Sequence, residues 1–293
     1  MEKPIATHSV SAEIIKKYGI TPKKGLGQNF LIEPNIAEKI IKAAGVDKDD
    51  CIIEIGPGLG ALTQMLAQTG ARILAVEIDK SLAGALEEIF KSFENVEIIK
   101  GDILKTDVKK LLVDRGLERA KVCANLPYYI TTPILMMLLE SALPLESITA
   151  MVQKEVAQRL AADAGDDEYG SISLAARFYA DIALNATVPR NCFVPRPAVD
   201  SAIVTLRLRK SQFMPMDEEF MFKCIRAAFG HRRKTLVNCL HERFDTPKEE
   251  LAKMLESCGF NEMIRGEALD LKGFCLLSDT LNPIVELAGE KSR

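Results

Sequence analysis

The run Cys51-Ile-Ile-Glu-Ile55 passes without a break into Gly56-Pro-Gly58-Leu-Gly60 and then into a helical pattern from Leu62. A short apolar run of this kind reads as a strand buried on both faces. The glycines spaced two apart permit a tight turn directly into a helix. A strand buried on both faces needs helices above and below it, which is the condition of a parallel sheet. The alternation continues through Ile73–Val76, Leu82–Phe90, Val96–Ile99, Val122–Ala124, Ile134–Leu139 and Ile148–Val152. Right-handed crossovers place the intervening helices on both faces, so the chain reads as an α/β protein with a doubly wound, mostly parallel sheet.

Pro34 at a first helical position and Gly45 past the last apolar residue mark a capped helix before this series. Beyond it come a helical pattern over Glu155–Ala162, a Gly/Asp-rich loop at Ala164–Gly170 and a helix near Ser171–Tyr179. Two candidate strands, Ala183–Val188 and Ile203–Leu208, extend the same sheet. After the polar, proline-containing segment Lys210–Asp217 only helical patterns remain: Glu218–Phe229, Thr235–Arg243, Lys248–Cys258 and a weaker one around Gly273–Leu281. A length of 293 residues accommodates such a division. The expected organisation is a flexible arm over 1–24, a catalytic domain over 25–210 and a small all-helical domain over 211–293.

With 47% hydrophobic and 27% charged residues the composition is that of an ordinary globular protein. No stretch reaches the roughly 18 apolar residues of a membrane helix, and the amino terminus lacks the layout of a signal peptide, so a cytoplasmic protein is expected. Seven cysteines without a C-x-x-C pair read as reduced core residues, and three scattered histidines give no metal site. The net charge of −3 conceals segregation: between Arg207 and Arg243 nine basic residues face four acidic ones. Such a stretch can face phosphates.

The glycine loop follows a strand and opens a helix, so its backbone can approach a nucleotide-like ligand where side chains would clash. Glu77 ends the next strand, where a carboxylate accepts hydrogen bonds from ribose hydroxyls. These features do not choose the cofactor. Gly56, Gly58 and Ala61 also satisfy the dinucleotide pattern, which leaves a NAD enzyme open. Glu54, and Asp102 after the third strand, where a carboxylate can reach an adenine amine, lean toward S-adenosyl-L-methionine.

Asn125-Leu-Pro-Tyr128 follows the fourth strand, at the sheet edge where open α/β folds bind ligands. An exocyclic adenine amine is a poor nucleophile because its lone pair is delocalised into the ring. Directing both N–H bonds at acceptors favours the pyramidal, nucleophilic nitrogen. The Asn125 side-chain oxygen and the Leu126 carbonyl can be those acceptors, Pro127 stiffens the loop, and Tyr128 offers a face to an extruded base. In Asn191-Cys-Phe193-Val-Pro195-Arg-Pro197 the aromatic can sandwich that base from its other side.

Taken together, these motifs resemble the small-subunit ribosomal RNA adenine dimethyltransferases of the KsgA type, within a wider family that includes the Erm large-subunit enzymes. The resemblance covers nearly the whole chain. Besides the two motifs above it includes Gly27-Gln-Asn-Phe-Leu31, Gln153-Lys-Glu155, Tyr169-Gly-Ser171 and Phe193-Val-Pro-Arg-Pro-Ala-Val-Asp-Ser201. It implies a class I, Rossmann-like methyltransferase that uses S-adenosyl-L-methionine to dimethylate N6 of two adjacent adenines in the 3′-terminal hairpin of 16S rRNA during small-subunit assembly. Carried over by motif, Asn29 and Leu31 would line the cofactor, Gly56 its methionine end, Glu77 the ribose and Asp102 the adenine. Asn125 would contact cofactor and target amine together, and Leu126, Tyr128 and Phe193 would hold the target base. The segment Ala227–Leu236 resembles the small-subunit enzymes' helical domain, where Arg232, Arg233 and Lys234 would contact rRNA phosphates.

Four other readings compete. An Erm-like enzyme would act on 23S rRNA, and a ribosome-assembly factor would keep the fold without the chemistry. A NAD-dependent oxidoreductase gives no reason for an amide, a carbonyl and an aromatic converging beyond the fourth strand. A DNA adenine methyltransferase typically carries Pro where Leu126 stands. No dimer stripe is evident, so a monomer is expected.

Overall fold

The computed structural model describes residues 3–231 and 233–291. In chain order its elements are α1 (His8–Tyr18), β1 (Phe30–Leu31), α2 (Pro34–Ala44), β2 (Cys51–Ile55), α3 (Ala61–Ala67), β3 (Arg72–Glu77), α4 (Lys80–Ile89), β4 (Val96–Lys100), α5 (Val108–Val113), β5 (Ala120–Asn125), α6 (Thr131–Glu140) and β6 (Leu145–Gln153). There follow α7 (Lys154–Ala161), α8 (Ser171–Tyr179), β7 (Ala180–Val188), β8 (Phe193–Val194), β9 (Ser201–Leu208), α9 (Glu218–Gly230), α10 (Leu236–Phe244), α11 (Lys248–Ser257) and α12 (Leu271–Lys291). No helix among the described residues is long and apolar enough to cross a membrane.

Seven strands form one sheet in the order β4-β3-β2-β5-β6-β9-β7. The first five run parallel, and β9 and β7 close the far side by antiparallel pairing. Every residue of β2 is buried, as a central strand covered on both faces requires. The strand order reverses between β2 and β5, so a crevice opens above the carboxyl ends of these two strands, the usual ligand site of such sheets. Gly56, Gly58 and Gly60 all have positive φ (68°, 61° and 87°), which turns the chain from β2 into α3 within five residues.

The amino-terminal segment is not an irregular arm. Residues 8–18 form α1, with the Thr7 side chain at its N-cap and Gly19 in the left-handed conformation at its C-cap. Ile5, Ala6 and Ile20 are buried in the core of the sheet-bearing unit, and the Ile5 N–H donates to Oε1 of the buried Gln64 at 2.7 Å. Val10, Ile14, Ile15 and Tyr18 supply the apolar stripe that packs against this core. The stripe is short and interrupted by lysines, which leaves its periodicity weak in the sequence.

The chain divides into two compact units. The sheet-bearing unit runs through Ala157 and resumes over Ala180–Arg209, while the helical unit takes Gln158–Tyr179 and the chain from Lys210 onward. The domain boundary therefore differs from the sequence expectation in one respect, since the segment containing Tyr169-Gly-Ser171 belongs with the helices. Its aromatics explain why. The Tyr169 hydroxyl donates to the Leu269 carbonyl at 2.9 Å and its ring meets Phe229 edge-on, and Phe178 packs edge-on against Phe222.

A candidate methyl-transfer cleft

A cleft of about 690 Å³ opens at the carboxyl ends of β2, β3 and β5. Of the residues singled out in the sequence, it is lined by Asn29, Gly56, Glu77, Asp102, Asn125, Leu126 and Tyr128, brought together from separate parts of the chain. All but Asn29, which precedes β1, stand at or shortly past the carboxyl end of a parallel strand, where the sheet ceases to bond its own backbone and turns into a loop.

Glu77 is buried, and each of its oxygens takes one backbone N–H: Oε1 from Asp79 at 2.8 Å and Oε2 from Gly58 at 3.3 Å. Burial raises its pKa, against the pull of these bonds. Two lone pairs remain to accept from a ligand. Asp102 accepts from the Leu104 N–H at 3.1 Å through Oδ1. Asn125 Nδ2 donates to the Asn29 carbonyl at 3.1 Å. With the amide nitrogen so committed, Oδ1 is the group left to accept from a ligand.

The Leu126 N–H is tied to the Met151 carbonyl at 3.1 Å, fixing the strand end, and the Pro127 carbonyl accepts from the Ile130 N–H at 3.2 Å and the Thr131 hydroxyl at 3.0 Å. Tyr128 stands half-buried in the cleft wall. The residues also fit a nucleoside-bearing cofactor in space. At Gly56 a side chain would enter the cleft beside Pro127, whereas bare backbone lets a ligand approach.

Two residues carried over by motif do not line the cleft. Leu31 is buried and pairs with Phe193 in the two-stranded β1–β8 ribbon. Phe193 itself is 2% exposed and belongs to the same core cluster as Ile52 and Met151. The expectation of an open Phe193 face sandwiching the base is therefore corrected: the ribbon turns this ring inward. Glu54 is likewise buried under the glycine loop, off the cleft wall. Its Oε2 has no hydrogen-bond partner among the described residues, and burial pushes its pKa up to about 8.

Other contributors were not visible in the sequence because their partners are remote. Asp79 caps α4 through the Ser81 N–H and also receives Lys23 Nζ at 2.8 Å and Gln28 Nε2 at 3.1 Å. Burial alone would raise its pKa, but these donors outweigh it and hold the carboxyl below its ordinary value. The segment 23–29 is thereby strapped across the cleft. A Cβ on Gly27 would come within 3.1 Å of the Tyr129 ring, so that strap lies directly on the residue after Tyr128.

In the helical unit, Arg232 lies outside the described residues. Arg233 is exposed and lines a cleft with Arg265 and the carboxylates Asp166, Asp167 and Glu267. Lys234 is ion-paired with Glu242, whose other oxygen lies 3.3 Å from His231 Nε2. Much of the positive charge of this stretch is thus locally offset.

A parallel sheet with an antiparallel β9–β7 edge, a glycine loop after its first long strand and an Asn-Leu-Pro-Tyr loop at the switch point define a class I methyltransferase. The family model for ribosomal RNA adenine dimethylase matches residues 20–278, and the chain belongs to that family. It is 43% identical over 293 residues to Ribosomal RNA small subunit methyltransferase A of Listeria welshimeri, covering 98% of this chain and 99% of the relative. It is 46% identical over 275 residues to the protein of the same name in Lachnoclostridium phytofermentans, covering 92% and 95%. Among solved structures, a dimethyladenosine transferase from Plasmodium falciparum superposes with a TM-score of 0.71 at 27% identity, over 87% of this chain and 98% of that one. The 23S rRNA methyltransferase ErmE shares the fold, with a TM-score of 0.64 at 24% identity, over 87% of this chain and all of that one.

Proposed function

We propose that this cleft transfers methyl groups from S-adenosyl-L-methionine to N6 of two adjacent adenines in the 3′-terminal hairpin of 16S rRNA, twice on each, during small-subunit assembly. The observation that carries the reading is the Asn125 amide. Its nitrogen is held by the Asn29 carbonyl, which leaves its oxygen to accept an amine beside Tyr128 at the mouth of the glycine cleft. The two relatives named for small-subunit RNA, each matched over nearly its whole length, favour that subunit over the large one.

Asn29, Gly56, Glu77 and Asp102 hold the cofactor, with Glu77 on ribose hydroxyls and Asp102 on the adenine amine. When bound, S-adenosyl-L-methionine supplies an electrophilic methyl group. Asn125 Oδ1 and the Leu126 carbonyl take the two N–H bonds of the target amine and draw its lone pair out of conjugation with the ring. Tyr128 holds the extruded base by stacking. No strong general base is required, because the amine becomes acidic as it acquires the methyl group. After the first transfer one N–H remains, and one acceptor suffices to orient it.

Leu31 and Phe193 act from behind the wall: their ribbon fixes Asn29, whose carbonyl fixes Asn125. Arg232, Arg233 and Lys234 contact rRNA phosphates. On this reading the protein works in the cytoplasm as a monomer and needs no metal. The test is transfer from labelled S-adenosyl-L-methionine to immature small subunits lacking the modification, with large subunits in parallel and nucleoside digestion of the product. N6,N6-dimethyladenosine in the small-subunit 3′ hairpin is expected. Label confined to the large subunit would make the protein an Erm-type enzyme, and none with either would leave an assembly factor.

A further inference from the structure

The phenol of Tyr128 does not hang free in the cleft. Its hydroxyl lies 2.5 Å from Oγ of Ser201, 73 residues later in the chain. Ser201 is wholly buried at the start of β9, where it pairs with Gln153 of β6 on one side and Val188 of β7 on the other. The residue before it is equally fixed. The Asp200 carbonyl accepts from the Lys154 N–H at 3.0 Å, and its carboxylate accepts from the Arg190 N–H at 3.0 Å. Tyr128, by contrast, opens a single 3₁₀ turn, Tyr128–Ile130. One partner is locked into three strands, and the other rides on a one-turn loop whose ring would otherwise tilt about its side-chain torsions.

We propose that Ser201 is a positioning residue for methyl transfer: its hydroxyl tethers the Tyr128 phenol and sets the tilt of the ring face on which the target adenine stacks. This rests on the adenine N6 transfer proposed for the cleft. The stack itself needs only the ring, whereas its angle toward Asn125 needs the hydroxyl at the far end of that ring. A reacting amine displaced by a fraction of an ångström loses its approach to the methyl group, and rate is more sensitive to such displacement than binding is. Burial raises the phenol pKa, against the pull of the Ser201 bond. Tyr128 therefore keeps its proton at neutral pH, and the tether joins two neutral hydroxyls.

The separation of ring from hydroxyl gives the test. Tyr128→Phe keeps the stacking face and removes the tether, Ser201→Ala removes the tether from the other end, and the double variant removes nothing more. For each, kcat and KM are measured with unmodified small subunits, and the Kd for S-adenosyl-L-methionine is measured directly. The expected result is a fall in kcat of about tenfold in either single variant. KM and cofactor Kd should stay near the wild-type values, and the double variant should be no slower than the slower single one. Wild-type kcat in Ser201→Ala, or losses that multiply in the double variant, would overturn the tether. If Ser201→Ala fails to fold, Tyr128→Phe carries the test alone, and undiminished kcat there would sink it. Wild-type protein that labels no adenine would instead end the reading of the cleft on which the tether rests.

Discussion

On the proposed function Asn125 carries more of the chemistry than any other single residue, because one amide both holds the strap at Asn29 and would orient the substrate amine. Asn125→Ala should lower methyl transfer at least a hundredfold while leaving the thermal unfolding profile within a few degrees of wild type. Turnover near the wild-type rate would remove the amine-orienting role. Tyr128→Ala should weaken base positioning by ~1–3 kcal/mol, the usual worth of a base–aromatic stack. It should cost more than Tyr128→Phe, which keeps the ring. Glu54 gives a prediction with a definite sign. Its folded-state pKa of about 8 lies above the ordinary carboxylate value of 4.5, so the native state binds the extra proton. The stability linked to Glu54 is complete below pH 4.5 and is lost as pH rises toward 8. Glu54→Gln should flatten that decline, which melting curves taken between pH 5 and 8 would show; parallel slopes for both proteins would place the unpaired carboxyl in contact with solvent. At this scale the cleft wall was legible where its residues are contiguous, as in Asn125–Tyr128. It was opaque for Ser201, Asp79 and Gly27, whose roles exist only once distant segments meet.

Among the elements, β2, β3, β5 and β6 were legible because buried parallel strands read as unbroken apolar runs that hydrophobic patterning identifies directly. The ribbon of β1 and β8 was not. Two strands of two residues each have no periodicity to detect, and their pairing is set by the tertiary approach of segments more than 160 residues apart. That ribbon takes Phe193 out of the cleft although its motif was recognised. The helix α1 and the strap over 23–29 form a second illegible element; α1 is held by its apolar stripe on the core, and the strap by Asp79. Asp79→Asn keeps the cap acceptor for Ser81 but removes the charge that holds Lys23. A buried charge left without its partner is destabilising, yet here the asparagine is neutral, so the main loss is the strap's closure. The expected outcome is a weaker cofactor Kd, by about fivefold for the loss of one charge-assisted hydrogen bond, with a smaller change in kcat. Unchanged cofactor affinity would mean that the strap is held by packing on Tyr129 without the bonds to Asp79.

For the whole molecule the governing quantity is the placement of charge, since a net charge of −3 gives no general attraction to RNA. The helical unit concentrates basic residues but also neutralises several of them. Lys223 pairs with Glu219 at 2.7 Å, and Lys234 and His231 both face Glu242. Binding to a polyanion through such a surface has two contributions, the phosphates it neutralises and the internal pairs it must break. Only the first releases counterions. Each phosphate that is no longer neutralised should therefore reduce the slope of log affinity against log salt by roughly 0.7–0.9. Replacing Arg233 and Lys234 together by alanine should flatten the slope for immature small subunits by less than the full value for two phosphates, because Lys234 gives up its bond to Glu242 in order to bind. Arg233→Ala alone should account for most of the change. Affinity for S-adenosyl-L-methionine, whose cleft lies in the sheet-bearing unit, should be unaffected in both. Filter-binding or sedimentation titrations across several salt concentrations would decide the matter. Equal slopes in wild type and variants would assign these side chains to a solvated turn between α9 and α10 and move the search for the RNA-binding surface to the sheet-bearing unit.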